Sequence, residues 1–396
     1  MLVVAVVAAL TLGPAPGAVA DTRPTLAPDE LLSVASQAAG WLAGTQLAPD
    51  GSLANQLGRP DPVSTASTVL AMRAAGLVSE ADAPTRWLEQ HVEALARDGQ
   101  GDSATGLALA ILVAHTQGLP VETFGGQDLL ARLTALRNPD GHYGPASSAF
   151  GSYDPFGDVA IRQSLVLSAL GAAGRTDAAA ADWLERRQCP DGGWALQQGD
   201  VPGPCTASPH TTGYALQGLS AVGREVPRRA LRALSRLQRP DGGFGQLYPD
   251  SDALATAAAL QGLIAAGVDP NTDRWRKGAG GDAATPFTAM LRFSMNQSGG
   301  FSLLKSGAPD AGVTAQVTIA AAGQRLPLLA PGAEPDPAGD TAGSPSAEPS
   351  GDGTSAGSGL TTGSDGFSSG LLLSGGAVAL AAIGGYSLGR RRRPSD

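Results

Sequence analysis

Cysteine is nearly absent, with Cys189 and Cys205 the two thiols of a 396-residue chain. That excludes a disulfide-dense scaffold and any zinc site built from three or four thiolates. Charge is scarce as well: Asp, Glu, Lys and Arg make up 16% of the chain, against roughly 25% in average proteins. What charge there is sums to −9, which leaves no basic face or stripe for nucleic acid. Alternating apolar and polar runs of useful length are missing, so strands are not expected. G-x-S-x-G, H-E-x-x-H and phosphate-loop patterns are missing too, and with them the chemistries they carry. The surplus lies in Gly (54) and Pro (29), together about a fifth of the residues.

The ends account for part of that surplus. Residues 1–20 form a short apolar run closing on Ala18-Val19-Ala20, the small-x-small pattern of a secretory signal peptide. Near the other end, 370–388 is uncharged and is followed by Arg390, Arg391, Arg392 and Arg393. Nineteen residues at 1.5 Å each reach about 28 Å, enough for a bilayer core, and the arginines favour a cytoplasmic tail over 389–396. Between them, 328–369 is Pro, Gly, Ser, Thr and Asp with little aliphatic content, the composition of a flexible stalk. The expected location is the cell membrane, single-pass, with residues 21–327 extracytoplasmic.

Residues 21–327 repeat. WLERRQCPDGGW from Trp183, LSRLQRPDGGFG from Leu234 and LTALRNPDGHYG from Leu133 are clear copies, with weaker ones from Trp41, Trp87 and Leu291. The markers Asp50, Asp98, Asp140, Asp191, Asp241 and Ser298 define six units of about 50 residues. Each marker follows a helical pattern with one charged face and precedes an Ala-, Leu- and Val-rich pattern ending near a Gly. The first kind is predicted to lie outside and the second to be buried. Six outer-inner pairs that bury their apolar faces only against neighbours predict an all-α, closed (α/α)6 toroid. In each turn Pro ends the outer helix, Asp-Gly or Gly-Gly bends the chain, and an aromatic packs the turn down. Gln188 and Gln238 are positioned to hydrogen-bond backbone at helix ends.

Gln188-x-x-Asp191-Gly192-Gly193-Trp194 and Gln238-x-x-Asp241-Gly242-Gly243-Phe244 resemble the repeat motif of the terpenoid cyclase and protein prenyltransferase superfamily, whose domains are α/α toroids. The resemblance covers about 300 residues. It implies several functions, from cyclases to the cobalamin carriers. Class II cyclases protonate an alkene with D-x-D-D, whose second Asp is the acid. Asp250-Ser251-Asp252-Ala253 resembles that motif, with Asp252 matching the acid and Ala253 in place of the last Asp. Helix N-capping is the structural role Asp252 would otherwise fill. Prenyltransferase β subunits hold zinc with Asp, Cys and His; here only His210 lies near a cysteine and the Asp-x-Cys is missing, so no metal and no cofactor are expected. The thioester motif G-C-x-E-Q is absent. In an exported protein, Cys189 and Cys205 are expected to be oxidised to each other, closing a short loop worth roughly 3 kcal/mol on the chain-entropy model.

The inner helices begin with polar residues expected to ring one mouth: Asp61 and Thr65, Asp102, Asp158 and Gln163, His210 with Thr212 and Tyr214, Asp252 and Thr256, Asp310. Thr65, Gln163, Thr212 and Thr256 each lie 11 residues before a helix-ending Gly. A loop carrying Tyr143, Phe150, Tyr153 and Phe156 lies nearby. The candidate ligand set is Asp158, Gln163, His210, Tyr214, Asp252 and Tyr153. With one toroid, an incomplete acid motif, no zinc set and few aromatics to line a cation pocket, the expectation is a membrane-anchored, non-catalytic monomer. Its toroid would bind a partner or a small molecule, a corrinoid or an isoprenoid. The alternative is a terpenoid cyclase or prenyltransferase-like enzyme with Asp252 as general acid beside Asp250.

Overall fold

The computed structural model describes residues 26–331 apart from 56–57, 100, 145–158, 197–204, 247–248, 280–282 and 295–297. The expected signal peptide, most of the stalk, the apolar 370–388 segment and the arginine tail lie outside the described residues. Among the described residues no helix is long and apolar enough to cross a membrane.

The chain alternates outer and inner helices. In order, α1 (Pro28–Trp41) precedes inner α2 (Pro62–Ala74), and α3 (Asp82–Gln90) with α4 (Val92–Ala96) precedes inner α5 (Ala104–Gln117). Outer α6 (Leu129–Ala135) precedes α7 (Val159–Ala172), α8 (Ala178–Arg186) precedes α9 (Pro209–Ala221), α10 (Arg228–Leu237) precedes α11 (Ala253–Ala265), and α12 (Pro286–Leu291) precedes α13 (Ala311–Ala321). Contacts run α2–α5–α7–α9–α11–α13 and return from α13 to α2, so the inner helices close a ring. One departure from an all-helical reading occurs in the second repeat, where Arg97–Asp98 and Gly101–Asp102 pair as a minimal antiparallel hairpin. There the turn motif is degraded and the outer helix breaks at His91, which stacks on Trp87 with ring centroids 4.2 Å apart.

Composition explains which helices go inside. Helix α5 reads ATGLALAILVAHTQ and buries every residue from Ala104 to Ala114 together with Thr116. No face carries charge that would need water. Each buried Leu, Ile or Val contributes about 1.5–3 kcal/mol relative to exposure. Helix α10, RRALRALSRL, buries only Ala230, Ala233 and Leu234 and turns its arginines outward. Inner helices meet almost backbone to backbone. A Cβ on Gly213 of α9 would lie 2.1 Å from the Ala258 carbonyl oxygen of α11, and one on Gly218 would lie 2.7 Å from the Ser164 oxygen of α7.

The turns join each repeat to the next. Gly192, at φ 97°, lies against the start of α10, where a Cβ would come within 2.5 Å of the Arg229 oxygen. Gly299 of the last repeat makes the same approach to Gln37 of α1, closing the outer ring. Arginines reinforce the joints: Arg186 donates to the Asp140 carbonyl at 3.3 Å and Arg292 to the Asp241 carbonyl at 3.1 Å, each one repeat back along the chain. Gln238 Nε2 donates to Gly242 O at 2.9 Å and Trp275 O at 2.6 Å, the bracing role expected for it.

The end of the ring formed by the C-termini of the inner helices is covered by the chain itself. Leu326 and Leu328 are buried in the central core, and the Leu326 N–H donates to Gln217 Oε1 of α9 at 2.9 Å. Pro331 reaches Gly118, which ends α5. The toroid therefore extends past the expected boundary at Pro327, because Leu328 belongs to its core.

Candidate functional site

The opposite mouth is formed by the N-termini of the inner helices. Capping fixes it: Asp61 accepts from the Ser64 N–H at 3.0 Å, Ser103 from Gly106 at 3.2 Å, Ser208 from Thr211 at 3.3 Å, Asp252 from Ala255 at 2.7 Å and Asp310 from Val313 at 2.9 Å. Each such cap is worth about 1 kcal/mol of helix stability. Asp61, Asp252 and Asp310 thus satisfy backbone donors that would otherwise be orphaned.

The residues at the 11-residue spacing do something the sequence did not suggest. Thr65, Thr212 and Thr256, joined by Thr314 of α13, which lies nine residues before Gly323, point outward, and their hydroxyls accept the N–H of Leu53, Trp194, Phe244 and Phe301 at 2.9–3.0 Å. Gln163 does the same for Tyr143 at 3.1 Å, while its amide donates to Gly141 O and Ala180 O at 3.0 and 3.1 Å. In five of the six repeats they pin the apolar residue of the turn to the following inner helix. Gln163, one of the expected ligand residues, therefore spends its polar atoms on this brace and faces away from the lumen. Asp102 also leaves the mouth: Arg132 holds it at 3.0 and 2.7 Å and keeps its carboxyl below the usual range. Asp158 and Tyr153 lie outside the described residues, as do Phe150 and Phe156. The expected Cys189–Cys205 disulfide is present.

Two neighbouring inner helices bring the rest of the candidate set together. At about 100° per residue, His210, Tyr214 and Gln217 lie on the face of α9 opposite the outward-facing Thr212, and so look into the lumen. The His210 and Tyr214 rings meet edge to face, 5.2 Å between centroids. Among the described residues His210 Nδ1 is buried without a hydrogen-bond partner, and burial pushes the imidazole down to about 4. Burial likewise raises the Tyr214 phenol. On α11, Asp252 is 3% exposed. Its Oδ2 accepts the Gln246 N–H at 2.9 Å, and the Gln246 side-chain oxygen accepts from Ser208 Oγ at 2.9 Å. Gln246 therefore bridges the caps of α9 and α11, placing Asp252 and His210 at one side of one mouth. Burial raises the Asp252 carboxyl even though two backbone N–H groups favour its charged form. Asp250, by contrast, is exposed and stands off this cluster.

The lumen-facing sides of the inner helices mix apolar and polar residues: Leu70 and Ser67 of α2, Leu109 and Leu112 of α5, Leu165 and Ser168 of α7, Leu254 and Gln261 of α11. A groove of about 770 Å³ lies elsewhere, on the outer wall between α6 and α8, and holds neither Asp252 nor His210. In its lining Arg137 and Tyr143 both donate to Asp177. No group of three or more His, Cys, Asp or Glu able to hold a metal occurs among the described residues.

No family model matches the chain. A drimenyl diphosphate synthase from Streptantibioticus cattleyicolor is 33% identical over 156 residues, which is 34% of this chain and 27% of that protein. Among solved structures, the type II terpene cyclase MstE from Scytonema matches with a TM-score of 0.54 in its apo form, at 15% identity over 75% of this chain and 98% of that one. In complex with its substrate, geranylgeranyl dihydroxybenzoate, it matches with a TM-score of 0.53 at 14% identity, covering 97% of that chain. A protein from Actinoplanes matches with a TM-score of 0.51 over 98% of its length at 16% identity. The chain shares the α/α toroid fold of these structures.

These findings overturn the expectation of a non-catalytic binding domain. Structures sharing this toroid are cyclases seen with substrate and product, and the sequence relative is a synthase. One ground for that expectation was the lack of a second helical domain. It falls, because a single toroid makes up nearly the whole chain of the MstE structures.

Proposed function

We propose that the protein is a terpenoid cyclase of the protonation-initiated kind, acting on a linear isoprenoid, with Asp252 as the acid. The observation that carries this reading is a buried carboxyl, raised by burial, at the mouth of a closed ring of helices. Protonating an unactivated alkene needs a neutral carboxylic acid out of water, and desolvation is the force that keeps a carboxyl neutral. The proton adds to the terminal double bond. The π pair makes the new C–H bond, and the more substituted carbon becomes cationic and is attacked by the next double bond. The leucine walls fold the chain for that attack and exclude water that would quench the cation early. Tyr214 presents an aromatic ring to the lumen where positive charge can rest against a π face.

The replacement of the last motif carboxylate by Ala253 fits a more apolar surround for the acid, in which desolvation takes over from a neighbouring charge. As part of the same proposal, residues 1–20 and 370–388 hold the toroid at the outer face of a membrane. Protease protection of the toroid in sealed cells would contradict that placement.

The test of the activity is incubation of the full chain with farnesyl diphosphate, geranylgeranyl diphosphate and squalene, followed by mass spectrometry of the extracted products. Asp252→Asn keeps a good N-cap and so keeps the helix. It is expected to lower cyclic product by a factor on the order of 10²–10⁴ with folding intact. Undiminished product from Asp252→Asn would overturn the assignment of the acid.

A further inference from the structure

A cation made by Asp252 must be disposed of, and the lumen holds a group suited to that task. Resting on the cyclase reading, we propose that His210 is the base that ends the reaction, its Nδ1 removing a proton from the last carbocation. Three observations carry it. His210 lies on the lumen face of α9, opposite the brace residue Thr212. Its Nδ1 is buried and has no hydrogen-bond partner among the described residues, a costly condition for an imidazole with only a structural role. His142, in a turn of the outer wall, likewise leaves its buried Nε2 without a partner among the described residues, but its Nδ1 is held by Asp140 at 2.5 Å and it stands on no lumen-facing helix. His210 also shares the mouth with the acid, because Ser208, two residues before it, and Asp252 both bind Gln246.

The electrostatics suit the role. Burial favours the uncharged imidazole, so at neutral pH the ring carries one proton, and with that proton on Nε2 the Nδ1 lone pair is free. A neutral base tolerates an approaching cation that an imidazolium would repel. In the step itself, a C–H bond beside the cationic carbon breaks and its electron pair becomes the second bond of the product alkene. The proton passes to Nδ1. Asp252, left as a carboxylate by the first step, regains a proton from the imidazolium through solvent once product leaves. The turnover is a net isomerisation and consumes no oxidant or reductant. Acid and base are thereby distinct groups whose surroundings push both toward their neutral forms, a division of labour common where proton donor and acceptor must coexist.

The experiment compares the products of the full chain with those of His210→Asn and His210→Phe, on whichever of the three isoprenoid probes the unaltered chain converts. His210→Phe keeps a ring packed on Tyr214 and removes the lone pair, so it separates packing from base strength. The unaltered chain is expected to give mainly cyclic alkene. Both variants should go on consuming substrate while the alkene-to-alcohol ratio falls by about a hundredfold, as water captures the cation in place of deprotonation. The same ratio in the variants, or mainly alcohol from the unaltered chain, overturns the assignment of His210 and leaves the cyclase reading standing. No conversion of any probe by the unaltered chain overturns both.

Discussion

Asp252 and His210 each stand where burial and function pull on one proton. For Asp252 the ordinary carboxylate value of 3.8 is raised by desolvation against two backbone hydrogen bonds. In the interval between the ordinary and raised values the native state binds more protons than the unfolded chain, so this residue makes stability fall as pH rises. His210 has the opposite sign. Its value drops from 6.5 to about 4 on folding, so between those limits the unfolded chain binds the extra proton and stability rises with pH. The shift amounts to roughly 3 kcal/mol, fully lost below pH 4 and fully present above pH 6.5. Urea unfolding of the full chain across that window should therefore show a loss of stability toward acid that His210→Asn removes. An equal acid slope in the variant would mean that His210 is not desolvated. A sequence reader could single out both residues, and read the roles of Asp252 from its motif and position, but not that of His210. The polar residues at the inner-helix starts all look alike in the sequence. Only side-chain direction separates Gln163, which braces a turn, from His210, which faces the lumen.

The helices were the most legible part. Two alternating patterns, one charged on a face and one apolar throughout, correspond to the outer and inner rings, and the recurring Gly-containing turn, complete as Gln-x-x-Asp-Gly at Gln188 and Gln238, marks the joints. What the pattern hides is how near the inner helices come. Gly213 and Gly262 read as weak spots in good helices, yet a Cβ on Gly262 would lie 2.6 Å from the Gly213 Cα. Ordinary helix propensity says that Gly→Ala gains about 0.5–1 kcal/mol. At Gly213 the 2.1 Å approach to the Ala258 oxygen reverses that sign, and overpacking of this kind costs about 1–3 kcal/mol. Gly40 of α1 is the control, because a Cβ there meets nothing within 4 Å. Denaturant midpoints should therefore fall for Gly213→Ala and rise slightly for Gly40→Ala. A rise for both would show that α9 and α11 are not in backbone contact.

At the scale of the whole molecule, closure is the property that makes a reaction chamber. The ring shuts twice, through α13 on α2 in the inner layer and through Gly299 on α1 in the outer one. The six units announce such a ring in advance. The floor does not announce itself, because Leu326 and Leu328 sit in a Pro-containing tail without periodicity, and only the Gln217 bond to Leu326 shows where they go. The result is a closed ring covered at one end and carrying at the other a buried acid and an imidazole whose Nδ1 has no partner among the described residues. If the buried acid starts the reaction by giving its solvent-exchangeable proton to carbon, that proton carries the isotope of the solvent. The full chain incubated with geranylgeranyl diphosphate, farnesyl diphosphate and squalene in deuterium oxide is expected to give a cyclic product carrying one carbon-bound deuterium per initiation, lost together with turnover in Asp252→Asn. A cyclic product without deuterium, or no cyclic product from any of the three, would rule out protonation by the buried acid.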